Sequence, residues 1–161
     1  RMAAVNQDLI CKMWEACETE DIPTIHALLE SHPGSQNWTD WCGDTPLHRA
    51  AVKGKLEVVV LLLSARANLN RRNNEGCTPL HEACLKGRTL VVDWLLGAHA
   101  NPNVTNDNGH TPLDIAKQRN WREIIILFEE YLFEETFSEI SEMESGSEES
   151  EDESDSDCEM G

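Results

Sequence analysis

Gly43-Asp44-Thr45-Pro46-Leu47-His48-Arg49-Ala50-Ala51 returns 33 residues later as Gly76-Cys77-Thr78-Pro79-Leu80-His81-Glu82-Ala83-Cys84. It returns 33 later again as Gly109-His110-Thr111-Pro112-Leu113-Asp114-Ile115-Ala116-Lys117. Each copy reads as the start of a helix. Thr is a good N-cap, and Pro suits the first helical position, where its missing N–H is no loss and its φ is already helical. The Leu opens the apolar face, and the small pair that follows lets neighbouring helices approach closely. Gly54 and Gly87 then stand where a helix ends in a left-handed residue. A second helix follows on apolar spacing, through Leu56, Val59, Val60, Leu62 and Leu63 in one copy and Leu90, Val91, Trp94, Leu95 and Leu96 in the next. Asn68-Leu69-Asn70 and Asn101-Pro102-Asn103 turn the chain outward to the next glycine-containing tip. The unit is helix, turn, helix, projecting loop.

Two weaker copies flank the three clear ones. Upstream, Met13-Trp14-Glu15-Ala16-Cys17 aligns 34 residues before Leu47 to Ala51, and Ile22, Ile25, Leu28 and Leu29 mark its second helix. Downstream, Asn120 stands in the glycine position, and Ile124, Ile125, Leu127, Phe128, Leu132 and Phe133 extend the last helix. Terminal copies differ because one side of each has no neighbour to cover it.

A 33-residue unit reading Thr-Pro-Leu-His-x-Ala resembles the ankyrin repeat family. The resemblance implies an all-α solenoid of about four helix-turn-helix repeats with β-hairpin-like loops, near residues 8–39, 40–72, 73–105 and 106–136. These make up a domain over 1–137. It also implies that His48 and His81 tie adjacent loops together, and that partners are bound through the loop tips and the exposed positions of the first helices, which line a concave groove. On this chain the tip candidates are Trp41, Cys42 and Asp44, then Asn74, Glu75 and Cys77, then Asp107, Asn108 and His110. The helix candidates are Val52 and Lys53, Leu85 and Lys86, and Gln118 and Arg119. Trp41 leads the set, because a tip aromatic has no core to enter and Trp is enriched among binding hot spots; the bland alternative packs it on Trp38. Trp14, Trp94 and Trp121 lie on helix faces and are expected in the core. The resemblance also makes Asn70 a modification candidate, since ankyrin proteins of this look are often substrates of an asparaginyl hydroxylase, beside its simpler role of bracing the turn.

Charge is unevenly spread. Residues 129–161 hold 15 of the 30 acidic residues and none of the 13 basic ones, so the total of −17 belongs almost entirely to the tail. From about Ser138 the chain is Ser, Glu, Asp and little else, which predicts a disordered acidic segment over 138–161. It reads either as a solubilising tail, as a docking arm for a basic segment of a partner, or as a phosphorylation-tuned switch. Ser141, Ser145, Ser150, Ser154 and Ser156 each have an acid three residues on, a spacing that resembles the preference of casein-type acidophilic kinases.

The six cysteines are scattered rather than framed in pairs, which points to a reducing compartment, cytoplasmic or nuclear. No apolar run is long enough to span a membrane, and no signal-peptide pattern is present. Arg1 ahead of Met2 is expected to be a cut or joined end. Cys77, His81 and Cys84 sit close enough to suggest metal ligation, but the repeat accounts for all three. No phosphate loop or nucleophile motif is present, and Arg71-Arg72 is the only basic pair. These features point to a non-catalytic, monomeric protein-binding module with no cofactor, metal, membrane or direct nucleic-acid partner. Three roles stay open: an adaptor or scaffold; an inhibitor of a transcription factor or kinase, as in the ankyrin inhibitors of Rel-type factors that carry an acidic Ser-rich tail; or a nuclear protein whose tail screens a basic partner such as histone.

Overall fold

A computed structural model describes residues 7–148. Thr45, Thr78 and Thr111 cap three short helices as the sequence predicts. In each, the Thr side chain accepts from the backbone N–H three residues on, and the residue there (His48, His81 or Asp114) accepts in return from the Thr N–H. These helices are α3 (Pro46–Lys53), α5 (Pro79–Leu85) and α7 (Pro112–Gln118), preceded by α1 (Gln7–Thr19). The partner helices are α2 (Ile22–Ser31), α4 (Leu56–Ser64) and α6 (Thr89–Gly97), and α8 (Arg122–Glu148) follows α7. A 3₁₀ turn, Ser35–Asn37, lies in the longer first loop.

The chain divides into two units, residues 1–125 and 126–161. In the first, α1, α3, α5 and α7 pack side by side in one row, and α2, α4 and α6 each lie against the inner helix that precedes them. Leu47, Ala50, Ala51, Leu80, Ala83 and Cys84 are fully buried between the rows, so the small pair does permit close approach. Gly54 and Gly87 adopt φ of 71° and 69°, and Asn120 takes over the same conformation at 59°. Glu20 does likewise in the first copy, also at 59°, without any glycine to mark it. At Gly87 the backbone sits so close to the Trp121 ring that a Cβ would fall 2.8 Å from its Cε2 and Cζ2 atoms.

Three expectations change. The loops are hairpin-like in their hydrogen bonding, yet no strand forms among the described residues. The outer helices bury a different set of residues: Val58, Val59 and Leu62 in α4, and Val91, Val92, Leu95 and Leu96 in α6. Leu90 and Trp94 are left 65% and 48% exposed, and Trp121 is exposed too; of the three tryptophans expected in the core, Trp14 alone is buried. Glu57 and Asp93 are the only charged residues of α4 and α6, and apolar residues occupy more than one face of each, so spacing alone does not choose the buried face. Finally, α8 runs through Ser138 to Glu148. Leu, Met, Glu and Phe without a proline can carry a helix through an acidic stretch. The expected tail from residue 149 on, with Ser150, Ser154 and Ser156, lies outside the described residues.

Candidate functional site

Each tip is built by one polar side chain, and these side chains are 33 residues apart. Asp40 Oδ1 accepts from the N–H groups of Cys42 (2.9 Å) and Asp44 (3.0 Å). Asn73 Oδ1 does the same for Glu75 and Cys77, and Asn106 Oδ1 for Asn108 and His110. Adjacent tips are then joined by backbone bonds, from Asn74 N–H to the Cys42 carbonyl (2.9 Å) and from Asp107 N–H to the Glu75 carbonyl (3.0 Å).

The motif histidines fasten the tips to the helices behind them. His48 Nδ1 accepts from Thr45 N–H, so Nε2 carries the proton and donates to the Cys77 carbonyl at 2.9 Å. His81 repeats the arrangement, accepting from Thr78 N–H and donating to the His110 carbonyl at 3.0 Å. Burial holds both rings below the usual histidine range, which favours the neutral form that this pattern needs.

The tip candidates are not all equivalent. Trp41 is 81% exposed. Its backbone is fixed, since its carbonyl accepts from Asn74 Nδ2 at 2.8 Å, but its indole does not lie on Trp38, which stands edge-on to His32 instead. Cys42, Asn74, Glu75, Asp107 and Asn108 are exposed, and Asp44 and His110 are half-buried. Cys77 is a correction: its side chain turns inward, beneath Asn106 Nδ2, and is buried. Burial, with Glu82 nearby, pushes its thiol up to about 11, so it is neither a contact surface nor a reactive thiolate. His81 and Cys84 are likewise committed, the one to the loop and the other to the core.

Trp41, Cys42, Asp44, Asn74 and Glu75 come together with Asn73 and Glu82 around a cleft of about 310 Å³. Asn73 Nδ2 bridges Asp44 Oδ1 (2.8 Å) and Glu82 Oε1 (3.3 Å). Burial first, then the neighbouring Asp44 and Glu75 carboxylates, raise Glu82 above the usual carboxylate range. The cleft is therefore short of positive charge. The sequence reading did not single out Asn73 or Glu82. Their periodic positions, the residue three before each glycine and the residue after the motif histidine, are the signal that was available.

Asp107, Asn108 and His110 do not line this cleft. The helix candidates form a separate set at the other ends of the inner helices, a helix length of roughly 11 Å away. Lys53, Lys86, Gln118 and Arg119 are exposed there, and Val52 and Leu85 are half-buried. Cations are favoured at helix C-termini in any case. Lys53 reaches Glu18 at 4.0 Å, and Arg88 Nε binds the Val52 carbonyl at 3.0 Å, over Gly54. Asn70 braces the junction with the following repeat: its Oδ1 accepts from Asn101 N–H at 2.8 Å, as Asn37 Oδ1 accepts from Asn68 N–H one repeat earlier. Ser141 is exposed on α8, and Ser145 lies in its last turns.

Capped helix pairs stacked in register, with tips tied to the next copy, define a repeat protein. The chain belongs to the ankyrin repeat family, whose description "Ankyrin repeats (3 copies)" matches residues 13–106. A comparison with curated proteins finds no match. Ankyrin repeats are protein–protein interaction modules. No helix among the described residues is long and apolar enough to cross a membrane.

Proposed function

We propose that this chain is a non-catalytic adaptor or scaffold that holds a protein partner at its loop tips and the exposed ends of its inner helices. The observation that carries this reading is Trp41, a large aromatic 81% exposed on a backbone pinned by its neighbour. A rigid indole loses little entropy when covered, which is why such side chains anchor interfaces. Beside it, Asp44, Glu75 and Glu82 favour a partner side chain that brings positive charge or N–H donors into the cleft. The acidic stretch after the repeats, with its serines at acidophilic-kinase spacing, would add long-range attraction for a basic partner, adjustable by phosphorylation at about −1.5 to −2 charges each.

The test is a partner-binding comparison of wild type, Trp41→Ala and Trp94→Ala. Loss of roughly 2 kcal/mol or more of affinity with Trp41→Ala supports the tips as the anchor. Equal binding by Trp41→Ala, with loss in Trp94→Ala, places the partner on the outer helices instead.

A further inference from the structure

Beyond the tips, α8 presents an apolar face that the repeat does not explain. Ile126, Phe133, Phe137 and Ile140 are 51%, 71%, 64% and 48% exposed. At 100° per residue these four positions fall within about 60° of one another, a stripe roughly 21 Å long. Phe133 and Phe137 stack on each other at 6.4 Å between ring centroids. Beside them Glu129, Glu130 and Glu134 are exposed, and together with Phe133 they line a shallow groove of about 520 Å³. Residues 126–148 contain eight acidic residues and no basic one.

We infer that this face of α8 is a docking site for an amphipathic helix of another protein, with an apolar stripe flanked on both sides by lysine or arginine. Charge complementarity selects that occupant. A second copy of α8 would set glutamates against glutamates along the whole contact, a like-charge pairing that specifies against association. An uncharged apolar helix would cover the rings but desolvate the flanking carboxylates without a partner. A basic segment lacking apolar residues would leave the phenyl faces in water. A basic amphipathic helix answers both needs. One of its long side chains can lay its stem along Phe133 and place its cation among Glu129, Glu130 and Glu134. This is helix-on-helix recognition read from side chains three and four apart, and it does not depend on the reading of the tips.

The test uses the whole chain and a fluorescent synthetic helix of leucine and lysine about twenty residues long, against a scrambled peptide of the same composition. The helix should bind, and the scrambled peptide should bind roughly tenfold more weakly. Phe133→Ser with Phe137→Ser should also lose roughly tenfold, whereas Phe133→Leu with Phe137→Leu should stay within about threefold. Trp41→Ala should leave binding unchanged. Glu129→Gln, Glu130→Gln and Glu134→Gln together, which keep the rings and the helix formers, should weaken binding and flatten its salt dependence. Equal binding of the scrambled peptide, or unaltered binding by the Ser pair, would overturn the proposal. So would a loss confined to Trp41→Ala, which places the peptide at the tips. A dimer in sedimentation that the Ser pair abolishes would make a second copy the occupant.

Discussion

Leu80→Ala should cost most of what a single core truncation can cost. Leu80 is fully buried, and α5 packs against α3, α6 and α7. The substitution removes three carbons, so transfer alone accounts for about 2.4 kcal/mol at about 0.8 kcal/mol each. The cavity term comes on top, and its size depends on whether the surroundings collapse. Here they are held on both sides, since His48 ties α3 to the loop before α5 and His81 ties α5 to the loop before α7. Collapse is therefore restricted, and the total should reach about 3–5 kcal/mol, the upper part of the usual range. With a urea slope of about 2 kcal/mol per molar, the midpoint should fall by about 1.5–2.5 M. Far-ultraviolet circular dichroism in a urea titration reads this directly. Glu75→Ala, exposed at a tip, is the control and should stay within about ±0.5 kcal/mol. A loss below about 1 kcal/mol for Leu80→Ala, or equal losses for both variants, would show that the core has been placed wrongly.

Three further outcomes follow from the same contacts. His48 and His81 are held below the usual histidine range by burial, so the unfolded chain binds their protons more readily. Their stabilisation is complete above about pH 6.5 and is lost as pH falls from there toward the folded-state values. Glu82, raised above the usual carboxylate range, acts in the opposite sense, its contribution lost as pH rises, and starts from a lower pH. The thermal midpoint should therefore drop between pH 7.5 and 5.5, and a midpoint that rises would contradict the neutral, doubly bonded rings. Gly87→Ala should cost more than about 1–2 kcal/mol, the left-handed penalty for a residue with a Cβ, because that Cβ also meets the Trp121 ring. Gly97→Ala, with open space around it, should be neutral or slightly stabilising. Asp40→Ala removes the acceptor for Cys42 N–H, Asp44 N–H, Trp14 Nε1 and Arg49 Nη2, and should cost about 2–4 kcal/mol by chemical denaturation. A change within about 0.5 kcal/mol would mean that water replaces those bonds freely.

Local backbone chemistry was the most legible part of the chain. Thr and Pro at fixed spacing announce a helix start whatever surrounds them, and Gly54, Gly87 and Asn120 announce its end. Glu20 escaped notice because its left-handed conformation is imposed by the repeat geometry rather than by its own preference. The outer helices were harder. Leu90 and Trp94 are as apolar as Val91 and Leu95, and only the stacked neighbours decide which pair is covered. At the tips, Trp41 was readable because an indole beside a glycine turn has no core to enter. Cys77, one repeat on from Asp44, was misjudged: its carbonyl is claimed by His48, and its side chain lies under the following loop. Glu82 carries no signal of its own between His81 and Ala83. Its place in the cleft depends on Asp44 and Asn73, which are distant in sequence, and no single-residue signal reveals that. The stripe on α8 was legible only in part: Phe133 falls on the apolar spacing that extends the last helix, whereas Ile140 lies in the acidic run whose composition predicts disorder and hides the helical spacing.

Recognition of a partner through the tips, with Trp41 as the anchor, is the proposal on which the function rests. Quantitative mass spectrometry of proteins captured by wild type, Trp41→Ala and Trp94→Ala, each with an unchanged urea midpoint, decides it. The expected result is a set of proteins retained by wild type and by Trp94→Ala and depleted roughly tenfold or more with Trp41→Ala. Full retention by Trp41→Ala, with depletion by Trp94→Ala, would contradict it and move the binding surface to the outer helices.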